Sequence, residues 1–328
     1  MKSAIFNPFS PIPKSPKSHT RGGAVIWAQR LNADILTKND NIMDYDLLFW
    51  DHGPNFSGSP NLFGGVDDDV AQRLIDIVES GITVISLEHR LSDCTYTSRI
   101  NTCKNSKSTS KLVTDEFIEK YNVWEKSDLA NSTITQQKLG LTESIIGDSH
   151  VLAYSKPNQS VYRINGQLLH SALKTGLLPF IQKYTSNKKI TLCLGSIDVR
   201  FHVLTNKEDP VDYAQRYIKE IKKLTNDGYD ISVCAVVPIE YEGRRIPNTG
   251  KYKKQSFFGD RHARLNWTVA FNSTLISSKV KTIYAPLKWY SMDGEQYAKE
   301  YMELGGSVHM SPLSYNSVID WEKLNVSK

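Results

Sequence analysis

The chain has 328 residues, 40% of them hydrophobic, and a formal net charge of +5. That length suggests about two domains, and that apolar share is ordinary for a soluble globular protein and enough for a real core. No stretch approaches the roughly 20 apolar residues of a membrane span, which excludes a membrane-spanning helix, and the modest basic excess permits an anionic partner without requiring one.

The first residues lack the long apolar core of a secretory signal, and Pro8, Pro11, Pro13 and Pro16 oppose an amphipathic transit helix. A cytoplasmic location is expected. Ser3–Asn7 reads as a first strand that enters a Pro/Ser/Lys loop. Residues 24–31 have helical spacing, 33–36 form a second short strand, and 47–50 are a continuous apolar run of the kind buried on both faces. After a Gly/Pro/Asn loop at 51–65, residues 70–80 are amphipathic, with Val70, Leu74, Ile77 and Val78 on one face. Gly81 ends that helix, and 82–87 form a fourth strand. Strand and helix in alternation predict a parallel α/β sheet with functional loops at the C-terminal ends of its strands.

Three stretches of this half resemble the N-terminal Rossmann-like half of phage DNA β-glucosyltransferases. They are Asp44-Tyr45-Asp46-Leu47, Asn55-Phe56 with 60–65, and Leu87-Glu88-His89-Arg90-Leu91. The resemblance spans about residues 1–95. It implies a catalytic carboxylate at Glu88, where the family has aspartate, followed by an arginine at Arg90.

Residues 92–140 are polar, with a loop at 101–111 of little apolar content, a helix at 114–121 capped by Thr114, and a domain boundary between 125 and 142. The alternation then restarts. Ile145-Ile146 close a strand, 160–164 form the next, and 168–183 read as one long amphipathic helix. A strand at 189–194 ends at Gly195, a helix spans 210–226 with Tyr213, Tyr217, Ile218, Ile221 and Leu224 at helical spacing, and Gly228 stops it. A strand at 231–237, a helix at 262–275 and a strand at 281–284 complete the pattern. The expected fold is therefore α/β: two Rossmann-like or flavodoxin-like three-layer domains with mainly parallel sheets, residues 1–135 and 136–328.

The stretch most suited to chemistry is Gly147-Asp148-Ser149-His150, a strand-to-helix turn. A serine there exposes its hydroxyl beside the open N–H groups of a new helix, which suits a nucleophile and an oxyanion partner. Three further strand-end loops carry Asn165-Gly166, Gly195 to His202, and Gly305 to Ser311. Their order resembles that of the SGNH/GDSL hydrolases, over roughly residues 143–320. The resemblance implies that Ser149 is the nucleophile, Gly166 a backbone oxyanion donor, Gly195 the start of the third block and His309 the general base. Asp148 is grouped with Ser149 and His309 as a catalytic candidate.

Two positions depart from the family. Its oxyanion asparagine falls on Ile197, with Asp198 next, so Arg200 or His202 is a candidate replacement donor. Both alternate with Val199, Phe201 and Val203, as the polar face of a strand continuation would. The carboxylate expected three residues before the base falls on Gly306, which leaves Glu303 or Asp293 as alternative acids. Independently of any family, an imidazole with a pKa near about 6.5 can take a serine's proton at neutral pH.

Cys193 and Cys234 lie in apolar strand-like runs and read as buried thiols; Cys94 and Cys103 could bridge a loop, but a reducing compartment favours free thiols. No Cys-x-x-Cys or His/Cys cluster has zinc-ligand spacing, so neither metal nor cofactor is expected. Residues 244–264 hold Arg244, Arg245, Lys251, Lys253, Lys254, Arg261 and Arg264 with interleaved Tyr252, Phe257 and Phe258, a possible grip on nucleic acid. The reading that covers most of these features is an SGNH-like esterase or acyltransferase acting on a hydroxyl-bearing substrate: a glycan, a nucleotide or a modified nucleic acid. The alternatives are a glycosyltransferase-like enzyme that modifies nucleic acid, and a binding protein on a degenerate hydrolase scaffold. Oligomeric state is not legible.

Overall fold

The computed structural model describes residues 2–7, 32–37, 40–50, 72, 75–77, 79–87, 125–127, 142–156, 159–164, 166–236, 254, 258–292, 298–302 and 309–310. The chain divides into two compact units, with the division between Gly140 and Leu141.

In the first unit, β1 (Ser3–Asn7), β2 (Asp34–Thr37), β3 (Leu47–Trp50), β4 (Thr83–Leu87) and β5 (Glu125–Ser127) form one parallel sheet in the order β2-β1-β3-β4-β5. The inner strands β1 and β3 hold its core: Ala4, Ile5, Phe6, Leu47, Leu48 and Phe49 are all buried. Such runs are apolar at every position because helices or loops cover both faces of a parallel sheet. Before β4 the chain is helical at Gln72, 75–77 and Glu79, and Ile77 is buried while Gln72 and Glu79 are exposed. The edge strand β5 falls in the polar stretch that reads from sequence as loop and boundary. The expected helices at 24–31 and 114–121, the loop at 51–65, Glu88, Arg90, Cys94 and Cys103 lie outside the described residues.

In the second unit, β6 (Glu143–Gly147), β7 (Gln159–Arg163), β8 (Lys189–Cys193), β9 (Asp230–Cys234) and β10 (Lys281–Ile283) form a second parallel sheet in the order β10-β9-β8-β6-β7. Numbered from the first strand of each unit, both sheets run 2-1-3-4-5, the flavodoxin-like order. The crossovers carry α1 (Val151–Tyr154), α2 (Leu169–Thr175), α3 (Leu177–Gln182), α4 (Ser196–Phe201), α5 (Pro210–Asn226) and α6 (Arg261–Ser277). The helix expected as one piece over 168–183 is two, broken at Gly176, which sits at φ 89°.

The helix α5 begins where its sequence dictates. Asp209 caps it by accepting the N–H groups of Val211 and Asp212, and Pro210 fills the first helical position. Its apolar positions Tyr213, Tyr217, Ile218, Ile221 and Leu224 are buried, as their spacing predicts. Against α6 they build an aromatic layer: Tyr213 meets Trp267 edge-on at 5.5 Å, and Trp267 stacks on Phe271 at 5.1 Å. Each such pair adds about 0.5–1.5 kcal/mol beyond its area burial. Cys193 and Cys234 are buried free thiols at the paired ends of β8 and β9. Their mutual hydrogen bond and burial push the Cys193 thiol's pKa up, which suits a packing role rather than a nucleophilic one. Among the described residues no helix is long and apolar enough to cross a membrane.

Candidate active site

The second sheet adds β7 on one side of β6 and β8 on the other. In an open parallel sheet ligands bind at such a switch point, beyond the carboxyl ends of the strands. β6 ends there at Gly147. Glycine is required because two backbones meet: a Cβ at this position would lie 2.1 Å from the carbonyl oxygen of Cys193. The Asp148 N–H donates to that carbonyl at 3.0 Å, and the Gly147 carbonyl accepts the Ile164 N–H at 2.8 Å. The turn that carries Ser149 is thus tied to both neighbouring strands.

Asp148 shapes this turn. Its Oδ1 accepts the His150 N–H at 2.9 Å and lies 2.9 Å from His150 Nδ1, and its carbonyl accepts the Val151 N–H at 3.2 Å. This corrects one expectation. The first two N–H groups after the serine are not open to an oxyanion, because the turn uses them, and α1 is only four residues long. The Asp148 carboxylate faces His150, and its Oδ2 is buried without a hydrogen-bond partner among the described residues.

Two histidines stand beside Ser149, and the geometry distinguishes them. His309 Nε2 lies 2.7 Å from Ser149 Oγ, although 160 positions separate the residues. His150 is clamped from both sides. Its Nδ1 faces a carboxylate and must carry a hydrogen; its Nε2 lies 2.9 Å from Arg200 Nη2, which can only donate. His150 is therefore a neutral imidazole whose one lone pair is occupied. The same Arg200 nitrogen also donates to Ser196 Oγ at 2.9 Å. The two imidazole rings are 5.3 Å apart.

The segment around His309 is anchored by backbone and packing. The next residue, Met310, is buried and forms an antiparallel bridge with Met302. Four residues earlier, the Ala298 N–H donates to the Trp289 carbonyl at 2.6 Å. Trp289 is fully buried and meets Tyr154 of α1 edge-on, with centroids 5.2 Å apart. Since α1 begins two residues after Ser149, this chain of contacts links the His309 segment to the Ser149 turn.

The remaining candidates distribute as follows. Gly166 follows β7, and Gly195 follows β8 as the N-cap of α4, so both lie at the strand ends flanking β6. Residues 196–201 are helical rather than a strand continuation, and residues two apart on a helix diverge. Arg200 consequently points to His150, while His202 turns towards Asn206 and Glu208. Asp198, fully buried, serves the fold. Its Oδ2 accepts the Leu169 N–H at 2.7 Å, and its Oδ1 accepts the His170 N–H at 3.0 Å and the Tyr213 hydroxyl at 2.8 Å. Burial raises the Asp198 pKa, opposed by these hydrogen bonds. Ile197 is buried and supplies no donor. His202 is held below the ordinary imidazole pKa, by burial first and then by the neighbouring His170.

Glu88, Arg90, Asn165, Asp293, Glu303, Gly305 and Gly306 lie outside the described residues, as does most of 244–264. Arg264 of that basic stretch is buried and donates to the Gly259 carbonyl at 2.6 Å, so it supports the start of α6. Sequence reasoning missed the role of His150. The signal was present: a histidine directly after the serine, with an aspartate two residues before it.

No protein-family model matches the chain, and no curated protein matches it. It is similar to solved structures at low identity. A structure described as a putative platelet activating factor from Streptococcus pneumonia shares 18% identity with a TM-score of 0.40, over 60% of this chain and 87% of that one. A putative acylhydrolase from Bacteroides fragilis shares 10% at a TM-score of 0.41, over 61% and 98%. A GDSL-like lipase from Bacteroides thetaiotaomicron shares 12% at a TM-score of 0.40, over 60% and 98%.

Proposed function

We propose that the second unit is a serine esterase or acyltransferase of the SGNH/GDSL kind, with Ser149 as nucleophile and His309 as general base. The observation that supports this reading is the 2.7 Å contact between Ser149 Oγ and His309 Nε2 at the sheet's switch point, within reach of proton transfer. As Oγ bonds to an ester's acyl carbon, its proton passes to Nε2. The carbonyl electrons move to oxygen, then return to expel the alkoxide, which takes the proton from His309. Water or an acceptor hydroxyl, deprotonated by the same imidazole, then adds to the acyl carbon, and Ser149 Oγ leaves as it takes that proton back from His309.

The negative oxygen formed in each step needs donors. The Ser149 and Gly166 N–H groups are candidates, since neither has an acceptor among the described residues. Arg200 adds a fixed positive charge one imidazole away from the turn. The substrate is an acylated or hydroxyl-bearing glycan, nucleotide or modified nucleic acid.

Ile197, where a hydrogen-bonding side chain is expected, favours a second reading: a binding protein on a degenerate hydrolase scaffold. A fluorophosphonate probe separates the two. Labelling of the parent that disappears in Ser149→Ala supports the enzyme. Labelling that survives the substitution removes Ser149 as nucleophile, and an unlabelled parent favours the binding protein.

A further inference from the structure

Away from Ser149, three side chains from separate segments converge on one point. His170 stands in the first turn of α2, His202 closes α4, and Glu208 lies just before α5. Their ligand atoms all lie within 4.8 Å of one another. Glu208 Oε1 is 3.7 Å from His202 Nε2 and 4.0 Å from His170 Nδ1, and the two rings are 4.1 Å apart. These separations are too long for direct hydrogen bonds. Among the described residues His202 Nε2 is moreover a buried nitrogen with no hydrogen-bond partner, and a buried polar atom in that state needs a physical reason.

We propose that His170 Nδ1, His202 Nε2 and Glu208 Oε1 form a binding site for a divalent transition-metal ion, zinc foremost. Two imidazoles and one carboxylate are a donor set that zinc takes, with solvent in the fourth position. A tetrahedral ion with bonds of about 2.0–2.1 Å holds its donors roughly 3.3 Å apart. Shifts of less than about an ångström per side chain therefore close the cage around the ion. The side chains are partly exposed, at 38% for His170, 15% for His202 and 19% for Glu208, so an ion has an entry path.

The surroundings set two conditions. Asn206 Nδ2 lies 3.0 Å from His202 Nδ1 and also donates to the His202 carbonyl. Metal binding requires the proton on Nδ1, so the Asn206 amide turns over and offers its oxygen, the usual support for a ligating histidine. Arg216 is ion-paired with the other oxygen of Glu208 and opposes a second cation. The ion would tie α2 to α4, the helix whose Arg200 holds His150. This inference does not depend on the hydrolase reading.

The test uses the full chain, stripped with a chelator and titrated calorimetrically with zinc chloride. One equivalent should bind and raise the melting temperature. His202→Gln and Glu208→Gln should each weaken binding at least about tenfold, and Arg216→Met should tighten it several-fold by removing the competing charge. In the parent, zinc should protect His170 and His202 from diethyl pyrocarbonate, read by mass spectrometry; this arm holds even where a variant fails to fold. An absence of zinc binding, an affinity unchanged in His202→Gln, or modification of both histidines at the same rate with and without zinc each overturns the site.

Discussion

His150 Nε2 and Arg200 Nη2 are 2.9 Å apart, and this single contact assigns different work to the two histidines beside Ser149. With its lone pair held by a guanidinium and its hydrogen on Asp148, His150 has no means of taking a proton from Ser149. On the proposed mechanism, His309→Ala should lower the hydrolysis rate of an activated ester by about 10²–10⁴-fold, the usual share of a general base. His150→Ala should act mainly on stability: it leaves a buried guanidinium and carboxylate without their shared partner, a loss of about 2–5 kcal/mol. Ester hydrolysis and urea denaturation of both variants check the contrast. Equal rate losses with no stability difference would reject it.

Asp198 makes a second prediction about stability. Its carboxylate satisfies two N–H groups at the start of α2 and the Tyr213 hydroxyl. Asp198→Ala strands all three donors, two of them buried, and should cost about 3–5 kcal/mol. Tyr213→Phe removes one of the three hydrogen bonds and should cost about 1 kcal/mol. Denaturant midpoints of the two variants should fall in that order.

Trp289 connects the His309 segment to α1 through Tyr154. Trp289→Ala empties a fully buried site and should destabilise the unit by about 3–5 kcal/mol. If the Trp289–Tyr154 contact also positions His309, the variant's remaining folded fraction, measured well below its melting temperature, should show a reduced kcat. Conservative replacement by Phe should restore part of it. A kcat equal to the parent's would show that the segment is held by other contacts.

The first unit has its own pH signature. The Tyr45 hydroxyl donates to Asp34 Oδ2 at 2.7 Å, and its pKa is pushed up to about 12, by burial first and then by that hydrogen bond. Between the ordinary phenol pKa near about 10 and about 12, the folded chain retains a proton that the unfolded chain has lost. Stability from this group is complete below the lower value and declines as pH rises through the window. Tyr45→Phe should flatten the stability–pH profile there, as followed by circular dichroism. An unchanged slope would contradict the assignment.

The sequence was most legible where periodicity and capping agree. The buried positions of α5 and its Asp209 cap follow from spacing and residue type. The stretch from Val199 to Val203 misleads because its alternation imitates a strand; residues 196–201 are instead a helix, whose buried Asp198 takes its three donors from α2 and α5. β5 was illegible because Glu125-Lys126-Ser127 has no apolar run and gains its structure only by pairing with β4. The cluster of His170, His202 and Glu208 was missed for a related reason: its members come together only when two crossover connections are folded, at no spacing a ligand motif would show.

Gly147 has a consequence for how this unit breathes. Because its Cα has no room for another atom beside Cys193, the position of Ser149 is set by main chain against main chain rather than by side chains that can change rotamer. The amide hydrogens of Asp148 and Ile164, locked across that junction, should then resist deuterium until the whole sheet opens. Ser149 would keep its place through the local fluctuations that loosen the rest of the rim.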